Sequence, residues 1–269
     1  MSSPSLRIGG IGAQVDIRLG GRRSEELRDH LTTAWSRCLT SVEGPEGEPL
    51  SLFLHDSDQD EDEVTERHET TLGSSDLEML LTRTTQAVTT SLIGAQAGRL
   101  LMFHAGGVSH LDTGRSVVFI AEGGTGKTTL SRLLGEHYGY LSDETVAIDT
   151  TNRILPYPKP LSTRTDRGGV KHELGPDQLG LRTPVADPTV TRLMLLDRDE
   201  NHTGPPQLTD LDLFDAIAAL APQTSSLHAM DRGLRRCADL IADTGPVLRV
   251  VYREASSLLP LVADVIGKP

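Results

Sequence analysis

The chain has 269 residues and a formal net charge of -12, enough for one large domain or two small ones around a sizeable core. So acidic a balance argues against a nucleic-acid partner, which usually meets a basic face, but leaves room for a local basic nucleotide pocket. No apolar run approaches the ~18 residues of a membrane span, no signal peptide precedes the first strand-like segment, and the two distant cysteines, Cys38 and Cys237, form no metal or redox motif, so a cytoplasmic protein with reduced thiols and no membrane partner is expected.

In chain order, Leu6–Leu19 reads as one or two short strands, with Ile8, Ile11, Val15 and Ile17 set among glycines. Ser24–Ser36 reads as a helix: Glu25 and Glu26 suit its first turn, and Leu31, Ala34 and Trp35 give an apolar stripe. Gly44–Glu48 is a loop and Leu50–Leu54 a strand. The acidic run His55–Glu69 invites a metal reading. It has no Gly where an EF-hand loop needs one, and a solvated loop is the expected structure. Ser75–Gln96 returns to helical periodicity through Leu77, Leu80, Leu81, Ala87, Leu92 and Ile93. Residues 1–98 therefore read as an α+β segment packed on, and continuous with, a core over 99–269.

That core opens with a strand at Leu100–Phe103, with His104 at its end. A turn at Asp112–Gly114 makes a hairpin with the apolar run Ser116–Ile120. Next comes A-E-G-G-T-G-K-T-T, and then helical spacing through Leu130, Leu133 and Leu134. Strand, Gly-rich turn and helix start are the context of a phosphate-binding loop. Glycines let several N–H groups converge on one anion, and the helix N-terminus adds its positive end. Gly123, Gly124, Thr125, Gly126, Lys127, Thr128 and Thr129 are therefore the candidate binders of ATP or another nucleoside triphosphate. Lys127 is placed to reach the β- and γ-phosphates, and the Thr128 hydroxyl to hold Mg²⁺. Ala121 stands where the usual pattern has its first Gly, which costs little if its φ is negative.

Tyr138–Ile148 reads as a strand kinked at Ser142-Asp143-Glu144. Asp143 and Glu144 are either an exposed acid pair or a base and a metal ligand beside the phosphate. His104 is either structural or a contact to the transferring phosphate, and His110 is structural. The proline-stiffened Arg153–Arg164 carries Lys159 and Arg164, candidates to neutralise moving charge or ordinary surface cations. Asp166–Pro188 reads as loop, Val190–Leu196 as strand and Thr203–Pro206 as loop. Helices follow at Asp210–Ala221 and Met230–Ile241, then a strand at Val247–Tyr252 and a helix at Ser256–Ile266.

Together, the F-H-A-G-G-V strand, the A-E-G-G-T-G-K-T-T loop, L-S-D-E-T-V-A-I and P-Y-P-K-P-L-S resemble the catalytic domain of the HPr kinase/phosphorylase family over Leu100 to Arg164, and more faintly to Ile266. The resemblance implies an α/β, α+β-like mixed sheet of the phosphoenolpyruvate-carboxykinase-like type and an ATP- and Mg²⁺-dependent kinase. It implies His104 near the reacting phosphate, Asp143 activating the acceptor hydroxyl, and Glu144 in place of a second aspartate near the metal. Some relatives occur with peptide-modification systems, so a Ser or Thr of a peptide or protein, such as a precursor peptide, is the expected acceptor. The resemblance also admits a homo-oligomer. A small-molecule kinase and a non-catalytic nucleotide-binding regulator are the alternatives, with the reverse, dephosphorylating reaction ranked last.

Overall fold

A computed structural model describes residues 5–40, 44–57, 70–164 and 171–269. The acidic run, for residues 58–69, lies outside the described residues. The chain forms two compact units, Met1–Gln96 with Pro158–Leu179, and Ala97–Tyr157 with Gly180–Pro269. Pro158–Leu179 thus groups with the N-terminal part of the chain, whereas the sequence reading placed it in the core.

In the first unit, β1 (Ser5–Gly10) and β2 (Ala13–Gly20) form a hairpin, followed by α1 (Ser24–Ala34), which buries Leu27, Leu31 and Ala34. β3 (Leu50–Leu54) alternates as its L-S-L-F-L sequence demands, burying Leu50, Leu52 and Leu54. β4 (Thr70–Ser74), not expected from the sequence, pairs with β3 in parallel, giving the order β1-β2-β3-β4. α2 (Leu77–Gln96) buries Leu80, Leu81, Val88 and Leu92. It also buries Thr84, Thr85 and Thr89, whose hydroxyls donate to the carbonyls four residues earlier at 2.8, 3.2 and 2.9 Å, so no hydroxyl is stranded.

The second unit opens with β5 (Leu101–Ser109) and β6 (Arg115–Ile120), an antiparallel hairpin. β5 runs past the expected Phe103, so His104 lies within the strand and not at its end. The glycines of A-G-G-V serve packing. A Cβ on Gly106 would sit 2.1 Å from the Phe119 ring. His110 shapes the hairpin turn: its Nδ1 lies 3.3 Å from the Asp112 amide, which donates to it. α3 (Lys127–Gly135), β7 (Gly139–Ser142), β8 (Thr145–Ile148) and β9 (Ile154–Leu155) follow.

The chain then returns to the first unit. There β10 (Leu161–Arg164) and β11 (Lys171–Leu174) form an antiparallel ribbon, where the sequence suggested extended chain and loop. Residues 156–160, which hold the three prolines, lie outside the strands, as missing amides require, and the Tyr157 amide donates to the Leu141 carbonyl at 2.9 Å. Back in the second unit come β12 (Thr189–Arg198), β13 (Gln207–Asp210) and α4 (Leu213–Leu220). The α4 helix starts two residues past β13, where Asp212 accepts from the Asp215 amide at 2.9 Å. β14 (Thr224–Ser225), α5 (Gly233–Thr244), β15 (Leu248–Tyr252) and α6 (Leu259–Ile266) complete it.

The result is mixed α/β. The main path of the second sheet runs β13-β15-β12-β6-β5-β8-β9. β6, β12 and β15 are mutually parallel, and β5 is antiparallel to β6. The alternation of β6 builds two cores at once. Val118 and Ile120 join Leu220 of α4 and Leu240 of α5 on one face, while Val117 and Phe119 join Leu130 of α3 and Val262 of α6 on the other. Each such burial stabilises by about 1.5–3 kcal/mol, so both faces hold the loop's strand rigidly. Among the described residues, no helix is long and apolar enough to cross a membrane.

Candidate active site

β6 delivers the chain into the loop Ala121–Gly126, and α3 receives it. Ala121 is buried and is not among the residues with positive φ, as its place in the pattern requires. Gly124 and Gly126 are left-handed, with φ of +82° and +93°, and Gly126 caps α3, conformations that glycine takes without strain. Gly123 is not left-handed. A Cβ at any of these three glycines would meet nothing within 4 Å. The loop therefore frames open space. Thr125 closes it internally, its hydroxyl donating to the Glu122 carbonyl at 2.7 Å.

Lys127 is buried, and its ammonium turns into the loop, donating to the carbonyls of Ala121 at 2.6 Å and Glu122 at 2.9 Å. Burial lowers its pKa, while the charges of Asp143 and Glu144 oppose the shift. One residue on, the Thr128 hydroxyl donates to Asp143 Oδ2 at 2.8 Å. Thr129 is exposed on the same turn.

Asp143 lies at the kink between β7 and β8 and is 5% exposed, so it is not an exposed turn acid. Its Oδ1 accepts from the Tyr140 hydroxyl at 3.1 Å. The Ser142 hydroxyl shapes the kink by accepting from the amides of Glu144 and Thr145 at 3.3 and 3.2 Å. The antiparallel pairing sets His104 opposite Thr145, and the Ala105 amide donates to the Glu144 carbonyl at 3.1 Å. His104 has a lowered pKa, first from burial and then from the Lys127 charge, with Glu144 and Asp143 pulling the other way. The fold thus gathers Lys127, Thr128, Asp143, Glu144 and His104 at the end of β6. The two cations expected on the proline segment belong to the first unit. Lys159 is buried there and donates to the Pro160 carbonyl at 2.9 Å. Arg164 closes β10, and its side chain is outside those described.

Two residues missed in the sequence serve this site. Tyr140 holds Asp143. Tyr252, at the end of β15, donates its hydroxyl to the Thr125 carbonyl at 3.3 Å and so braces the loop from a distant strand. Tyr140 lies three residues before an acid, a spacing that could have drawn notice; Tyr252 carries no local signal. A cavity of ≈640 Å³ in the first unit, lined in part by Glu48, Arg83 and Ser91, contains none of these groups.

The donor set fits a magnesium–nucleotide. The loop glycines leave open space beside a buried ammonium, and the Thr128 hydroxyl with the nearby Glu144 carboxylate offers the hard oxygens Mg²⁺ requires. No family model matches the chain, and no curated protein sequence matches it. Among solved structures it is similar to the HPr(Ser) kinase/phosphatase from Coxiella burnetii, with a TM-score of 0.31 and 13% identity over 57% of this chain and 79% of that one. A likeness of that size assigns neither fold nor activity.

Proposed function

We propose that this protein is an ATP- and Mg²⁺-dependent phosphotransferase that moves the γ-phosphoryl group to a hydroxyl, that of a Ser or Thr in a peptide or protein. One observation carries the reading: the loop lysine and the Thr128–Asp143 pair gather at the end of β6, beside a loop whose glycines leave open space around them. Mg²⁺, held by Thr128 and Glu144, would draw charge from the phosphate oxygens and orient them. Lys127 exchanges its carbonyl partners for phosphate oxygens and stays as a fixed counter-charge. Asp143 takes the acceptor proton as the new O–P bond forms and the β–γ bridging bond breaks, releasing ADP. His104, kept neutral by burial and Lys127, offers a hydrogen bond rather than a charge. The choice of a peptide acceptor rests on the family resemblance of the site motifs.

The test is transfer of label from γ-labelled ATP to hydroxyl-bearing peptides, with hydrolysis measured in parallel. Label on Ser or Thr, lost on chelation of Mg²⁺, supports the proposal. ATP binding with neither transfer nor hydrolysis across a broad peptide and small-molecule panel would leave a nucleotide-binding regulator and sink the kinase reading.

A further inference from the structure

Asp143, Glu144 and His104 all approach the loop from the β5/β8 flank of β6. On the other flank, where β12 and β15 run parallel to β6, lies a cavity of ≈540 Å³. Its wall begins with the loop itself, at Glu122 and Thr125, so it is continuous with the phosphate seat. It sits at the carboxyl ends of the parallel strands, where open α/β sheets leave a crevice for ligands, and its size is that of a small-molecule site.

The lining is of two kinds. Leu195, Ala218 and Pro222 supply apolar surface, and Gln223 places a carboxamide, both donor and acceptor, among them. At the rim Asp197, next to the last residue of β12, accepts from Arg249 of β15 at 2.5 Å.

We propose that this cavity seats the nucleoside end of the triphosphate: the base lies against Leu195, Ala218 and Pro222, Gln223 reads its edge, and Asp197 accepts from the ribose hydroxyls. The assignment rests on the phosphotransferase reading and extends it. It puts the two ends of the nucleotide on opposite flanks of β6, with the γ-phosphate toward Asp143, and so leaves the β5/β8 flank to the acceptor. Specificity among nucleotides then comes from three segments with no shared motif: the end of β12, α4 and the turn after it.

Calorimetry on the intact chain tests it, with Mg-ATP and Mg-tripolyphosphate as paired probes. Tripolyphosphate engages the loop alone. ATP is expected to bind about tenfold or more tightly than tripolyphosphate. Ala218 is exposed on its helix, so Ala218→Trp keeps the fold while filling the cavity. It is expected to bring ATP down to the tripolyphosphate affinity. Gln223→Ala is expected to change the ATP-to-GTP affinity ratio by about fivefold. Equal binding of the two probes by the parent, or parental ATP affinity in both variants, overturns the nucleoside site while the phosphate loop stands. Binding of neither probe overturns the loop reading and this assignment with it. Parental ATP affinity with a raised KM for a hydroxyl acceptor in Ala218→Trp gives the cavity to the acceptor instead.

Discussion

Gly123 offers the sharpest separation of folding from binding in this protein. Nothing in the polypeptide explains a glycine there. Its φ is not positive, and an added Cβ touches no atom within 4 Å. Gly123→Ala should therefore stabilise the free protein, by about 0.4–1 kcal/mol, through a less flexible unfolded chain. That raises Tm by about 1–3 °C for a chain of this size. The same methyl would stand in open space beside the loop. If that space is a phosphate seat, Mg-ATP affinity should fall by about tenfold or more, or ~1.4 kcal/mol. Gly124→Ala is the control. Its Cβ is equally unobstructed, but φ is +82°, so it should destabilise by about 1–2 kcal/mol. Thermal melts with and without nucleotide, together with calorimetry, read both quantities. A Gly123→Ala protein that binds Mg-ATP as the parent does would refute the claim that the loop was left open for a ligand. One that melts earlier would refute the geometric argument itself.

Other consequences are equally open to measurement. Asp143→Asn keeps a hydrogen-bond acceptor for Thr128 but no proton-accepting carboxylate. It should bind ATP within about threefold of the parent and transfer label about 10²–10⁴ times more slowly; parental transfer would remove Asp143 as the base. His104 has its pKa lowered by burial and by Lys127, so folding disfavours its cation. Its contribution to stability is intact above its ordinary value near 6.5 and is lost as pH falls through the lower folded value. His104→Gln should therefore lose less Tm than the parent between about pH 7 and pH 5; parallel curves would count against this. Cys38 and Cys237 are buried, and desolvation pushes their thiols up to about 12 and about 11. A thiol reagent at mild alkaline pH should find both only after denaturation, so fast reaction of the native protein would contradict their placement.

What could be read ahead of the structure was whatever the chain encodes locally. Val117–Ile120 is apolar throughout because both faces of β6 are covered, and the glycines, Lys127 and Thr128 follow at fixed offsets, so strand, loop and helix start were legible. The same holds for the alternating β3 and the periodic α2. β4 and β13 were not, because Thr-Thr-Leu-Gly-Ser and Gln-Leu-Thr-Asp carry little apolar pattern and are edge strands held by backbone pairing. β11 hides in a charged segment for the same reason. The reason for a glycine at Gly106 was hidden too, since only the Phe119 ring against it shows the need for contact. Within the site, Asp143 could be suspected from its neighbours in sequence. Tyr252, Asp197 and Gln223 could not, since the sheet order that brings them to the loop is a property of the whole second unit.

The inward turn of Lys127 has a consequence for which anions the site admits. A ligand entering the loop must first lift the ammonium off two carbonyl oxygens, at 2.6 and 2.9 Å. A singly charged visitor gives little in return for that displacement, whereas a chain of phosphates replaces both lost partners at once. On the phosphotransferase reading the lysine would therefore behave as a latch as well as a counter-ion, shut against stray chloride or acetate and opened by a polyanion long enough to reach it.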